Sequence, residues 1–361
     1  MQCTHRPPSK WDADQIYAPA LIHVASAPPT LRSDDDVYLV DDVANALLST
    51  PAMRRLAGIG FLGAIDYVKK GSGRDPHRRR HNRCEHSIGV AKLAETYAIE
   101  VDMEPHARKT IVCAALLHDL GHGPLSHTLE PVFEEYFGIN HHRTTRDIIT
   151  GASRFGPQIL DILKEHNVDP EDVIALIDGE YTGAHAFLFS SSINLDTLEG
   201  ITRCRAFVGP RSAFGSASAA VRRWAASGGF PKNDFDDFWV LKNSVYNLVI
   251  NAQIGRLLDT VAQSYMAANI DRFAADDFLK TEKSFRASHK ELFSYLNVVL
   301  NNEDDLRDHL PRSWLQVDVK INDRTFFVDN SVEPDSAHEI NARYRQTRAR
   351  YSVKLEELVK G

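Results

Sequence analysis

Three things are scarce in this sequence: cysteine, excess charge of one sign, and long apolar runs. Four cysteines, Cys3, Cys84, Cys113 and Cys204, stand among 361 residues and form no CxxC pair. That argues against a disulfide framework or a thiolate zinc site. They read as reduced thiols, Cys113 as a buried one in an apolar stretch, and a cytoplasmic location is expected. A formal net charge of -7 at pH 7 has the wrong sign for a generic nucleic-acid binder; a local basic patch keeps nucleic acid open as a partner. No stretch approaches the roughly 20 apolar residues that a membrane span needs. Met1 to Ser9 carries no apolar signal-peptide core, so neither a membrane partner nor secretion is expected.

A length of 361 residues exceeds what one core usually fills. Residues 1–36, with Pro7, Pro8, Pro19, Pro28 and Pro29, read as an extended arm, 37–270 as the core and 271–361 as an appendage. Val40, Val43, Leu47, Leu48, Leu56, Ile59 and Leu62 recur at helical spacing, with Thr50 as a helix cap before Pro51. Helices are predicted over about 86–101 and 105–117. The second is apolar nearly all round from Ile111 to Leu117, so it belongs at the centre of a domain. A long buried helix is predicted over 236–268, a hairpin over 315–328 turning at Asn322-Asp323, and a charged amphipathic helix over 337–360. The fold class is therefore mainly α: a helical bundle with a small C-terminal β-hairpin and a terminal helix.

Histidine is what the chain has in abundance. Nine of its sixteen histidines fall between His77 and His142, and chemistry is sought there first. His118 and Asp119 stand together at the end of the most apolar helix. An unpaired imidazole and carboxylate in such a place would cost several kcal/mol. Taken alone, the pair could bond to each other and cap the helix; a divalent cation would compensate both equally well. A further histidine, His86, opens the preceding helix, and Asp196 sits in the apolar frame Ile193-Asn194-Leu195-Asp196.

In order and local context His86, His118-Asp119 and Asp196 resemble the H…HD…D signature of the HD-domain superfamily. The longer strings are similar to its deoxynucleoside triphosphate triphosphohydrolase branch. They are Thr50-Pro51-Ala52-Met53-Arg54-Arg55-Leu56, His81-Asn82-Arg83-Cys84-Glu85-His86-Ser87-Ile88-Gly89-Val90, His118 to His127, and Asp196 to Arg203. The resemblance covers roughly residues 37–265. It implies one divalent metal on His86, His118, Asp119 and Asp196, with Mn, Fe, Mg, Zn, Ni or Co all suited to such ligands. Extra histidines, His122, His141 and His142, keep a dinuclear variant open. The resemblance further implies His127 and Glu130 as an acid–base pair, His122 and His142 in a phosphate pocket, and Arg83 and Arg203 as charges for a polyphosphate. Lys242 and Tyr246 fall near the family's nucleotide-reading segment, which is otherwise poorly matched.

Rival readings stay open at several of these positions. Arg203 could simply pair with Glu199 one turn earlier, His141 competes with His142, and Glu130 could be an exposed helix residue. The basic loop from Arg74 to His81 could steer an anion or merely be solvated. Phe61 stands where the family carries a sugar-contacting glutamine, so discrimination between ribose and deoxyribose is expected to weaken. Release of nucleoside and triphosphate from a nucleoside triphosphate is the implied reaction. Its rivals are phosphatase or phosphodiesterase action on another nucleotide, and a nucleotide-sensing or nucleic-acid-binding module with a structural site. The presence of both His127 and Glu130 favours the enzyme. Homo-oligomers are common in the family, and the C-terminal appendage could serve assembly.

Overall fold

Local chemistry sets the first helices. After α1 (Asp42–Leu48), the Thr50 hydroxyl accepts from Met53 N at 3.4 Å and caps α2 (Pro51–Leu56), which Pro51 begins. Residue 39 and residues 41–68, 81–208, 212–227, 231–301, 306–332 and 340–359 are described by a computed structural model. Cys3, the arm over 1–36 and the basic stretch 74–80 lie outside the described residues.

The next two helices hold the centre. Asn82 caps α3 (Arg83–Glu100) by accepting from Glu85 N at 2.9 Å. In α4 (Pro105–Leu117) every residue from Thr110 to Leu117 is buried, as its all-round apolar surface requires. Short helices α5 (Glu130–Phe137), α6 (His141–Ile149), α7 (Gln158–Glu165), α8 (Pro170–Asp178) and α9 (Phe187–Ser190) follow. Then come α10 (Leu195–Val208) and α11 (Ala217–Ser227), both packed on α3, while α8 packs on α4. In place of one helix over 236–268 there are two, α12 (Lys232–Val245) and α13 (Gln253–Ala268). A π-helical turn at Tyr246–Ile250 separates them. Such turns widen the spiral and re-aim side chains, and here Tyr246 and Ile250 line the main cavity.

The C-terminal part is mainly helical again: α14 (Glu282–Ser288), α15 (Lys290–Asn301) and α16 (Arg312–Leu315), then β1 (Asp318–Val328), α17 (Ile340–Arg343), β2 (Tyr344–Lys354) and α18 (Leu355–Val359). The expected turn at Asn322-Asp323 does not form. Strand β1 runs straight through it and pairs antiparallel with β2, Asp318 opposite Lys354 and Val328 opposite Tyr344. A two-residue hairpin turn favours positive φ at both central positions, which the non-glycine pair Asn322-Asp323 meets poorly. The predicted amphipathic helix over 337–360 is largely strand β2. Eight consecutive residues of that strand are exposed, so its many arginines imitated the polar face of a helix.

The 11-residue ribbon twists and buries different faces along its length. Val319 and Ile321 join the apolar cluster of α13, α15 and α18, whereas Phe326 packs on Trp239 of α12 at 5.3 Å and on Tyr246 at 4.5 Å. Arg343, only 1% exposed, clamps the ribbon to α12. Its Nε and Nη2 donate to the two Asp236 oxygens at 2.9 and 2.6 Å, and Nη1 donates to Val332 O at 2.7 Å. Among the described residues no helix is long and apolar enough to cross a membrane.

Removing Arg343 would strip Asp236 of its main charge partner at the point where ribbon and bundle meet. Arg343→Leu is expected to lower unfolding stability by about 3 kcal/mol. Urea unfolding checks this; a loss under about 1 kcal/mol would show that the clamp is not energetically important.

Candidate metal and hydrolytic site

Three helix ends meet at one place. His86 lies on the first turn of α3, His118 and Asp119 directly follow α4, and Asp196 lies on the first turn of α10. His86 Nε2 stands 2.9 Å from Asp196 Oδ1, 3.6 Å from Asp119 Oδ2 and 3.3 Å from His118 Nε2. His118 Nε2 is 3.5 Å from Asp119 Oδ1 and 3.7 Å from Asp196 Oδ1. Two donor atoms each about 2.1 Å from one ion lie about 3.0 Å apart at a right angle and about 3.4 Å apart at the tetrahedral angle. The separations among His86, His118 and Asp119 lie close to the tetrahedral value, and these three form one tight set. Asp196 approaches the two imidazoles but lies outside the set whose donor atoms are all within 4.8 Å of one another.

The tautomers fit the same reading. His118 Nδ1 donates to Ala115 O at 2.8 Å, and His86 Nδ1 meets the Glu199 carboxylate. With both Nδ1 atoms so engaged, the two Nε2 atoms turn lone pairs toward each other and toward two carboxylates. That cluster of acceptors needs a positive charge at its centre. Burial alone would push the His86 imidazole down, but its bonds to Asp196 and Glu199 outweigh burial and raise it to about 9. A proton thus answers part of the demand that a divalent cation would meet.

Behind the ligand positions stands a supporting layer. Glu199, one turn after Asp196, is held by Arg203, whose Nε donates at 3.1 Å. Arg203 also reaches Glu85 O at 3.0 Å and His81 Nδ1 at 2.9 Å. It therefore orients the partner of His86 and does not line the cavity. Gly89 makes room for this: a Cβ there would lie 2.3 Å from Glu199 Oε1. Arg83 donates from Nη1 to Asp119 Oδ2 at 2.7 Å and from Nε to Ser126 Oγ at 3.1 Å, and Ser126 donates to Gly60 O at 2.7 Å. Leu125 and Ser126 have φ of 59° and 45°, a strained turn after which His127 packs against His122 at 4.6 Å.

There a second cluster forms. His127 Nδ1 donates to Glu130 Oε2 at 2.8 Å. The other Glu130 oxygen accepts from the His141 backbone N at 2.8 Å and contacts the His141 ring. Burial would raise the Glu130 carboxyl, yet the two imidazoles hold it well below the usual carboxylate range. His127 opens onto the cavity, and enclosure by the walls lowers its imidazole despite Glu130. His122 stacks on His141 at 4.2 Å. Its Nε2 is 3.2 Å from Asp119 Oδ1 but off the axis of a hydrogen bond, so both ring nitrogens are buried without a partner. Gly121 lets α6 approach, since a Cβ there would lie 2.1 Å from His141 O.

Both clusters open into one cavity of about 660 Å³. Its other walls carry Phe61, Val90, Leu188, Phe189, Ile201 and Ile250, together with Lys242, Tyr246, Asp259 and Arg324. Phe61 leans on the His86 ring at 4.7 Å. Asp259 accepts from Thr128 Oγ1 at 2.6 Å, and burial raises its carboxyl to about 6. The cavity thus gathers His86, His118, Asp119, Asp196, Arg83, His122, His127, His142, Lys242 and Tyr246, with Glu130 directly behind His127. Sequence reasoning set His142 ahead of His141 at the phosphate pocket; it is the His141 ring that stacks on His122 and contacts Glu130. It named Glu199 only as a partner for Arg203, not for His86, and it missed Ser126, Asp259 and Arg324. The spacing of Glu199 from Asp196, three residues on one helix face, was an available signal; Arg324 offered none.

Residues 83–182 match the HD domain family, and Asp196 lies beyond that span. The chain is 29% identical over 180 residues to YwfO of Bacillus subtilis (strain 168), covering 48% of this chain and 38% of that protein. It is 30% identical over 148 residues to the deoxynucleoside triphosphate triphosphohydrolase SAMHD1 of Bos taurus, covering 38% of this chain and 24% of that protein. The matched stretches thus amount to about two fifths or less of these relatives' own length. A crystal structure of a hypothetical protein from Aquifex aeolicus superposes with a TM-score of 0.59 at 18% identity, covering 90% of this chain and 97% of that one; it shares the fold. The chain carries an HD domain, and within it His86, His118 and Asp119 lie close enough together to hold a metal ion.

Proposed function

We propose that the protein is a metal-dependent phosphohydrolase acting on nucleotides, and that its reaction is hydrolysis of a nucleoside triphosphate to nucleoside and triphosphate. One observation carries this reading: the four-residue ligand cluster and the His127–Glu130 pair face the same cavity, which has cationic and apolar walls. The kinship with SAMHD1, a deoxynucleoside triphosphate triphosphohydrolase by name, supports the choice of substrate class.

In this reading His86, His118, Asp119 and Asp196 hold one divalent cation. When bound, the cation supplies polarisation of a phosphoryl oxygen and a lowered pKa for water. The protein's own groups do the rest. Glu130 accepts from His127 Nδ1, which leaves Nε2 as the free acceptor toward the cavity. His127 Nε2 takes a proton as water oxygen bonds to the α-phosphorus, and returns one to the 5′ oxygen as the phosphorus–oxygen bond breaks. Arg83 offsets the Asp119 charge, while Lys242 and the imidazoles of His122 and His142 face the phosphates. The apolar wall of Phe61, Val90 and Ile201 takes the nucleoside, and Tyr246 lies on the phosphate side. Arg203 is assigned a positioning role through Glu199.

Incubation with a panel of nucleotides and Mn²⁺, Fe²⁺, Mg²⁺, Co²⁺ or Zn²⁺, with products identified by mass, tests the reading. Nucleoside and triphosphate are the expected pair; release of orthophosphate alone would favour phosphatase action. His118→Ala and Asp119→Ala are each expected to lower turnover at least about a thousandfold and to reduce metal content by elemental analysis. His127→Ala should lose turnover while keeping its metal. Full activity in Asp119→Ala would remove the mechanism.

The pH profile follows from His127, whose imidazole lies below its ordinary 6.5. A base works when neutral, so kcat/KM should be level near pH 7 and fall only as pH drops through this lowered value. An acid limb centred above pH 7 would contradict His127 as the base.

Phe61 offers the sugar no hydrogen bond. Ribo- and deoxyribonucleoside triphosphates are therefore expected to differ in kcat/KM by less than about tenfold. A strict deoxyribose preference in a side-by-side assay would overturn this.

A further inference from the structure

Among the described residues, two cations of the cavity have no side-chain hydrogen bond or ion pair. Lys242, on α12, is 9% exposed. Its Nζ sits 4.4 Å from the Trp239 ring centroid and 4.8 Å from that of Phe326. It has no hydrogen bond or ion pair among the described residues. Arg324, on β1, is half-buried and holds its guanidinium 6.0 Å from the Tyr246 ring centroid. Its side chain likewise has no hydrogen-bonding or ionic partner among the described residues. An acid stands next to it in sequence, but Asp323 faces the other way and is taken by Arg256 and Tyr351. Arg348 lies directly opposite Arg324 in the ribbon, so that face carries a second like charge.

Such an arrangement is unfavourable unless an anion sits in it. Burial and the neighbouring Arg324 lower the Lys242 ammonium to about 8, against the pull of Asp196. Phe326, under Lys242, packs on Tyr246, under Arg324, at 4.5 Å between ring centroids, so the two cations stand over neighbouring rings of the same cavity. An ammonium pressed on two aromatic faces and a guanidinium fork beside it suit adjacent phosphoryl groups of one chain.

We propose that Arg324, brought in by the C-terminal ribbon, is a substrate-binding residue that, with Lys242, holds the phosphoryl groups of a polyphosphate remote from the His86–His118–Asp119–Asp196 cluster. The HD domain thus depends on a segment some 140 residues beyond it to complete its pocket, and length of the polyphosphate becomes a selected feature. The inference rests on the reading that substrate phosphates occupy this cavity.

Calorimetric titration of the full-length protein with inorganic tripolyphosphate and with orthophosphate, at fixed salt, tests it. R324Q is expected to weaken tripolyphosphate about tenfold or more and orthophosphate less than twofold. R324K should fall between R324Q and the parent, and R348Q should bind as the parent does. Tripolyphosphate affinity within twofold of the parent in R324Q would overturn the proposal, as would an equal loss in R348Q, which would mark a diffuse field. The readout separates the two claims. Arg324-dependent tripolyphosphate binding in a protein that cleaves no nucleotide would sink the hydrolase and keep the subsite. Normal nucleotide turnover with unaltered tripolyphosphate binding in R324Q would do the reverse.

Discussion

Two imidazole nitrogens, His86 Nε2 and His118 Nε2, face each other at 3.3 Å between two carboxylates. Four acceptors cannot be held so near one another by packing alone. Their Nδ1 atoms are tied to Glu199 and Ala115 O, so rotation or tautomer change cannot relieve the crowding cheaply. A cation at the centre turns the repulsion into attraction. Much of the local architecture serves this arrangement. The Asn82 cap fixes where α3 starts and so where His86 points. The buried α4 ends at His118 without fraying, because Thr110 to Leu117 are held on every side. The glycine at position 89 admits Glu199, and Arg203 keeps that carboxylate in place.

The same logic accounts for the second cluster. Glu130 anchors His127 and His141 with its two oxygens, which fixes both rings around His122. His122 is then left with two buried nitrogens and no bond. A group in that condition costs free energy unless something outside the protein completes it. Burial, Arg83 and its neighbours hold the His122 imidazole well below its ordinary value, so it presents a neutral donor and acceptor to whatever enters. A phosphoryl oxygen near Asp119 would find that donor waiting.

How much of this was legible in the sequence depends on whether the signal was local. The cap at Thr50, the central helix ending in His118-Asp119 and the helical class are written in short-range patterns, and the chain folds accordingly. The strand β2 was not, because a ribbon exposed along eight residues carries polar side chains on both faces and mimics a helix surface. The break between α12 and α13 was invisible for a related reason: an apolar run continues through Tyr246–Ile250 whether the turn is α or π. At the site, the residues of the cluster that lie in contiguous strings could be named by number, and the structure brings them together. Arg203 needed the geometry, since pairing with Glu199 and contact with phosphate are equally consistent with its spacing.

Charge distribution links the two halves of the cavity. The protein as a whole is acidic, with a formal net charge of -7, and would repel a polyphosphate at long range. Inside the pocket the balance is reversed. Asp119 is offset by Arg83, Glu199 by Arg203 and Asp196 by His86, Asp259 is raised toward neutrality by burial, and the side chains of Lys242 and Arg324 have no ionic partner among the described residues. Low-dielectric walls such as Phe61, Val245 and Ile250 keep that local field from being screened. An anion inside the cavity therefore meets a locally cationic wall although the chain as a whole is acidic. That combination favours ligands whose charge is concentrated at one end and whose remainder is apolar enough for the wall opposite.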